Sequence, residues 1–230
     1  MKLVEVIKGG KTSEETMQVT YDLVTKLNKV PVRVEKDSPS FIYNRVQAPT
    51  MLLLELILEK KLMSPEELDG AFKAVMPMAP YELMDFVGID VAYHSLKYLH
   101  DKLSPEYSST ALEQMVNAGN LGKKTGKGFY DWSAGRPTID TSKATKEFDA
   151  TDFIALQVNE ATKVLAEGVA KSASDIDTAM INGGGGFGPF QVAKSIGYDK
   201  LAERCEKLAQ KFNVKVFKPT DMLKEGKIQV

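Results

Sequence analysis

The chain has 230 residues, and its 30 Lys and Arg against 31 Asp and Glu give a formal net charge of −1. That balance excludes the basic field on which binding to a phosphate backbone rests, so no nucleic-acid partner is expected. With 43% hydrophobic and 27% charged residues the chain reads as a folded soluble protein, not a disordered or fibrous one. Length allows one or two domains.

The single cysteine, Cys205, cannot close an intramolecular disulfide, which points to a reducing, cytoplasmic setting. The apolar stretch after Met1 is shorter than a signal h-region and contains Glu5. The greasiest run, Met51 to Leu58, is too short to span a bilayer and carries Glu55. It reads as a core helix, and no membrane partner is expected.

The first 36 residues read strand, helix, strand. Leu3 to Ile7 is short and β-branched and is followed by Gly9-Gly10, as a buried strand would be. Thr12 with Glu15 three residues on is a capping-box pattern, and Met17, Thr20, Tyr21, Val24 and Leu27 recur at helical spacing. Pro31 to Glu35 alternates with period two. So small a unit cannot bury its own faces, so it reads as the end of a larger sheet. Its apolar edges at residues 3–7 and 31–35 call for a covering partner, and a homo-oligomer is expected.

Beyond the Asp37 to Ser40 turn the pattern becomes helical, punctuated by Pro and Gly. Helices are expected over Phe41 to Lys61, with a kink at Pro49, from the Ser64 N-cap with Pro65 and Glu67, from Ala79-Pro80 to Gly88, and through Val91, His94, Ser95, Tyr98 and Leu99.

An internal repeat organises the rest. Leu68-Asp69-Gly70-Ala71-Phe72 is echoed 108 residues later by Ile176-Asp177-Thr178-Ala179-Met180. Ala79-Pro80-Tyr81 pairs with Gly188-Pro189-Phe190, Gly88-Ile89-Asp90 with Gly197-Tyr198-Asp199, and Met115 to Gly119 with Met222 to Gly226, all in the same order. Two copies of one helical unit follow.

Several stretches carry candidate chemistry. Gly183 to Gly188 satisfies G-x-G-x-x-G, but a dinucleotide cradle needs a strand before the glycines and a helix after them. Here a helix precedes them, and the stretch reads as a flexible interhelical turn. The corresponding loop of the first copy, Ala74 to Met78, has no glycine. His94 and His100 are six apart and point to different helical faces, unlike the i, i+4 pair of a zinc helix; His94 reads as a packed or capping residue, and no metal site is expected. No G-x-S-x-G elbow occurs. Gly122 to Trp132 places three lysines among glycines and ends in aromatics. It could meet an anionic cofactor tail or pin the chain to the core, and the second role is favoured. Glu5, a carboxylate in an apolar strand, belongs at a solvated edge or at a site that uses it. Asn44, beside Arg45, caps backbone or faces a ligand.

Met1 to Ile7, Thr12 to Thr16, Lys36 to Arg45, Pro80 to Leu83 and Gly122 to Tyr130 together resemble the carboxyl-terminal part of 3-hydroxyacyl-CoA dehydrogenases. The resemblance covers essentially the whole chain and implies a mainly α fold, with residues 1–36 a remnant of an NAD-binding Rossmann domain. Residues 37–135 would be a first helical domain, 136–151 a linker and 152–230 a second helical domain. It implies an NAD-dependent oxidation of 3-hydroxyacyl-CoA to 3-oxoacyl-CoA, and a dimer. In the family a histidine of an H-F-x-N-P stretch is general acid/base, and a glutamate of the following strand orients and charges it. Glu5 falls on that glutamate and Asn44 on an active-site asparagine. The histidine and the nucleotide-binding glycines would lie before Met1, so the chain alone is expected to be inactive and to hold no NAD-binding residues. Ser40 stands where members often have glycine. The alternative is a non-catalytic helical module that partners a separate nucleotide-binding or enoyl-CoA hydratase subunit.

Overall fold

The computed structural model describes residues 1–73, 76–184 and 186–228. The fold is mainly helical, with one two-stranded sheet, and its contacts divide it into two compact units, residues 1–50 with 151–230 and residues 51–150.

In the first unit β1 (Leu3–Ile7) and β2 (Val30–Val34) pair in parallel, in register from Leu3 with Val30 to Ile7 with Val34, across the crossover helix α1 (Glu14–Lys26). Period two buries Val32 and Val34 on one face, where they join Ile42, Val46, Val164, Ile176, Met180 and Phe190 in a single core. Val6 on the other face packs against Met17 and Val24 of α1. The N-cap of α1 is Ser13, whose hydroxyl accepts the Thr16 N–H, so the helix starts one residue later than the Thr12 pattern implies. Leu27 does not share the apolar face: it ends the helix and is 61% exposed.

The chain enters α2 (Tyr43–Glu59), with Pro49 inside it, and passes along it into the second unit. There α3 (Pro65–Phe72) carries the expected capping box at Ser64 and Glu67, followed by α4 (Pro80–Val87), α5 (Ile89–Lys102) and α6 (Thr110–Asn117). The buried stripe of α5 is Ile89, Ala92, Tyr93, Leu96 and Leu99. Of the residues that marked this helix in the sequence, Leu99 belongs to that stripe, and Val91, His94 and Tyr98 are exposed. The first unit is completed by α7 (Thr151–Ala166), α8 (Ala173–Gly184), α9 (Pro189–Ile196), α10 (Tyr198–Phe212) and α11 (Asp221–Glu225). Gly183 and Gly184 are the last residues of α8, so the glycine run is not simply a turn between helices; Gly185, like Ala74 and Val75 of the first copy's loop, lies outside the described residues.

The sequence repeat is a repeat of geometry. Gly88 and Gly197 each join two helices at nearly the same left-handed conformation, φ 119° with ψ 124° and φ 104° with ψ 128°, which only glycine adopts without steric cost.

Candidate functional site

The candidate residue Glu5 is placed by β1, which directs it to the start of α2. Its Oε1 accepts the backbone N–H groups of Ile42 (2.8 Å) and Tyr43 (3.2 Å), the open donors of a helix N-terminus. Burial pushes the Glu5 carboxyl up from its ordinary pKa, and the two N–H bonds offset only part of that. Oε2 makes no hydrogen bond among the described residues. Asn44 follows directly on the residues that Glu5 holds and is exposed, and its amide likewise has no hydrogen-bond partner among the described residues. Glu5 and Asn44 are thus brought to the same turn, one through backbone bonds and the other by succession in the chain.

The turn is braced from three sides. Ser40 and Phe41, which lead into it, both have left-handed backbone, φ 65° and 56°. The Arg45 N–H donates to the Ser40 carbonyl at 3.1 Å. The Arg45 side chain is buried and donates to Glu160 at 2.6 Å and to Glu167 at 3.0 and 3.3 Å, and Lys163 donates to the second Glu160 oxygen at 2.8 Å. Burial works against the guanidinium charge, and the carboxylates of Glu160 and Glu167 outweigh it. The third brace is Tyr43, whose ring lies against Gly183 and Gly184. Neither this contact nor the buried Arg45 network is visible in sequence, since each partner is more than a hundred positions away.

The described glycines of 183–188 do not form a nucleotide cradle. Gly183 and Gly184 close α8, where carbonyls and not N–H groups face outward, and at the other end of the run Gly188 caps α9, whose Phe190 and Gln191 N–H groups donate to Asp177. Gly188 is small because a Cβ would lie 2.7 Å from the Asp177 carboxyl carbon. The lysine-rich loop is anchored in the second unit by its aromatic end. The N–H groups of Phe129 and Tyr130 and the Trp132 indole all donate to Asp85 at 2.9 Å, and the Tyr130 hydroxyl donates to Asp69 at 2.8 Å. Lys124 pairs with Asp90 and Lys123 sits over the Phe86 ring. The pinning role is the one built here. His94 is exposed, with its ring against Tyr93, and so is not packed in the core. Among the described residues no three His, Cys, Asp or Glu side chains gather as metal ligands would, and no helix is long and apolar enough to cross a membrane.

The family model for the C-terminal domain of 3-hydroxyacyl-CoA dehydrogenase matches residues 41–132 and 148–227, and the model for the NAD binding domain of the same family matches residues 1–38. The chain belongs to the 3-hydroxyacyl-CoA dehydrogenase family. The fatty acid oxidation complex subunit alpha of Psychrobacter cryohalolentis is 32% identical over 236 residues, 91% of this chain and 32% of the relative. The chain therefore spans about a third of the length of the curated relatives it matches. Among solved structures, 3-hydroxybutyryl-CoA dehydrogenase from Escherichia coli superposes with a TM-score of 0.85 over 98% of this chain and 67% of that one, at 23% identity, a likeness of fold. The (S)-3-hydroxybutyryl-CoA dehydrogenase of Ralstonia eutropha is 36% identical over 57% of this chain and 47% of its own, with a TM-score of 0.53.

Proposed function

We propose that this chain supplies the substrate-side part of an enzyme that oxidises 3-hydroxyacyl-CoA to 3-oxoacyl-CoA with NAD. The observation that carries the reading is the Glu5 carboxylate. One of its oxygens is fixed on the Ile42 and Tyr43 N–H groups, and the other is left to accept from an imidazole N–H. A carboxylate held in that way sets the tautomer of a histidine and favours its protonated form, which a general acid/base working on a 3-hydroxyl or 3-keto oxygen requires. Asn44, exposed on the same turn, has an amide N–H to offer the reacting carbonyl oxygen.

The described residues do not fit NAD: the sheet has two strands, a helix and not a strand leads into the glycine run, and the N–H groups of Phe190 and Gln191 behind it are taken by Asp177. No step involving the nucleotide is assigned to residues of this chain. The 230 residues alone are expected to show no NADH oxidation with acetoacetyl-CoA, and robust turnover by the pure chain would overturn that. Fused behind the NAD-binding part of a related dehydrogenase, the chain is expected to support turnover. Glu5→Gln should then cut kcat by roughly 100-fold and flatten its pH profile, and Asn44→Ala should lower kcat comparably. Equal turnover of all three would remove the assignment and favour a non-catalytic helical module. A homo-oligomer in solution is part of the same proposal, checked by light scattering.

A further inference from the structure

Tyr43 is the residue of this turn that the proposed chemistry leaves without a task. Its backbone N–H is one of the two that hold Glu5, and Asn44 is its neighbour. The chain reaches it through two successive left-handed residues, Ser40 and Phe41, a conformation that side-chain-bearing residues hold only when the surroundings impose it.

The Tyr43 ring is seated where side chains would otherwise stand. A Cβ on Gly183 would lie 2.6 Å from Cε2 and 2.9 Å from Cγ of the ring, and one on Gly184 would collide with the hydroxyl and lie 3.2 Å from Cζ. Glycine is among the weakest helix formers, yet α8 ends on two of them. The corresponding stretch of the first copy, Ala74 to Met78, has no glycine.

We propose that Tyr43, wedged on Gly183 and Gly184, is a positioning residue that fixes the first turn of α2 and thereby sets both the Glu5 carboxylate and the Asn44 amide. The inference rests on Glu5 and Asn44 being site residues. A rigid ring with two side-chain torsions suits such a wedge, since little freedom is lost on seating it.

The test is an NMR titration of the Glu5 carboxyl in the purified 230-residue chain, with the Asn44 side-chain amide signals followed in parallel. Gly183→Ala and Gly184→Ala are each expected to move the Glu5 midpoint by roughly half a pH unit or more, the size that losing one backbone donor implies, and to shift the Asn44 signals. Adding Tyr43→Val to Gly184→Ala removes the clash and the wedge together, and is expected to leave the midpoint displaced as in Tyr43→Val alone. Should the alanine variants not fold, Tyr43→Val alone is expected to move the Glu5 midpoint and Tyr43→Phe to leave it in place. A Glu5 midpoint and Asn44 signals unchanged in the folded alanine variants, or an unchanged midpoint in Tyr43→Val alone, would overturn the proposal. The site reading fails separately, through unaltered turnover of Glu5→Gln and Asn44→Ala in the fused enzyme.

Discussion

Asp69 and Asp177, 108 positions apart, hold the same place in the two copies, each accepting two consecutive N–H groups at the start of the next helix. Asp69 binds those of Tyr81 and Glu82 at 2.9 and 2.8 Å, and Asp177 those of Phe190 and Gln191 at 2.9 and 3.1 Å. Each carboxylate meets the positive end of a helix and satisfies donors that have no partner within it. Asp69 has a third donor, the Tyr130 hydroxyl. Removing a buried acceptor strands its donors, so Asp177→Ala should cost about 2 kcal/mol and Asp69→Ala about 3 kcal/mol. Urea denaturation measures both, and an Asp177 variant that loses more than the Asp69 variant would contradict the argument.

Acid should stabilise the second unit. Glu55 is fully buried and accepts the N–H groups of Ala111 and Leu112 at 2.5 and 3.2 Å, and burial pushes its pKa up to about 7. Asp69 is pushed up to about 6, mainly by burial. A pKa raised by folding means that the folded state binds the proton more tightly, so the gain is full below the unfolded pKa and is lost as pH rises through the folded one. The exposed carboxylates Glu67, Asp131 and Asp140 are held below their ordinary range by local bonds, and their contribution fades only below about pH 4.5. Between pH 8 and pH 5 the melting temperature should therefore rise as pH falls. Glu55→Gln should flatten that rise, and an unchanged slope would show that Glu55 does not cause it.

The Ser64 and Glu67 box, the start of α4 at Pro80 and both copies of the repeat were legible in sequence because each depends on neighbours within a few residues. Thr12 misled because Ser13 beside it caps equally well, and the bond to Thr16 decides between them. The helix α5 was legible but its buried stripe was not, because Val91 and Tyr98 are apolar but exposed. Glu5 and Asn44 could be singled out from pattern and resemblance. That Glu5 binds the turn holding Asn44 could not, since the bond joins residues 37 positions apart. The buried acceptors Glu55 and Asp85 were hidden for the same reason: their donors belong to later segments.

Arg45 offers a test of the brace beneath the candidate site. It is 2% exposed and Glu160 is 1% exposed. Arg45→Met leaves Glu160 buried with Lys163 as its remaining cation, and should destabilise by about 3 to 5 kcal/mol. Arg45→Lys keeps the charge but not the planar fork that reaches two carboxylates, and should recover only part of the loss. Combining Arg45→Met with Glu160→Gln should recover more than half. Chemical denaturation of the three variants decides this, and a double variant no better than Arg45→Met would place the cost elsewhere.

Cys205 should be chemically silent in the native state. Its thiol is buried in α10, donates to the Ala155 carbonyl at 3.3 Å, and is pushed up to about 12 by burial. The thiolate is the reactive species, so an aromatic disulfide reagent at pH 8 should titrate no thiol in the folded chain and one after unfolding in guanidinium. Prompt native labelling would mean that α10 opens readily.

Ser40 is the residue whose replacement should improve the fold. Its φ of 65° is followed by 56° at Phe41, and its carbonyl accepts the Arg45 N–H at 3.1 Å, so the strained conformation is locked in by the start of α2. A residue bearing Cβ pays roughly 1 to 2 kcal/mol for left-handed backbone. Glycine avoids that cost but returns part of it through the greater freedom of the unfolded chain. The balance favours Ser40→Gly by about 0.5 to 1 kcal/mol. Arg45 loses little by the change, because the Ser40 carbonyl that it contacts is retained and its weak side-chain bond is to Ser38. The gain should appear as a higher denaturation midpoint with an unchanged slope. A lower midpoint would show that the Ser40 side chain contributes more to the turn than its backbone strain costs.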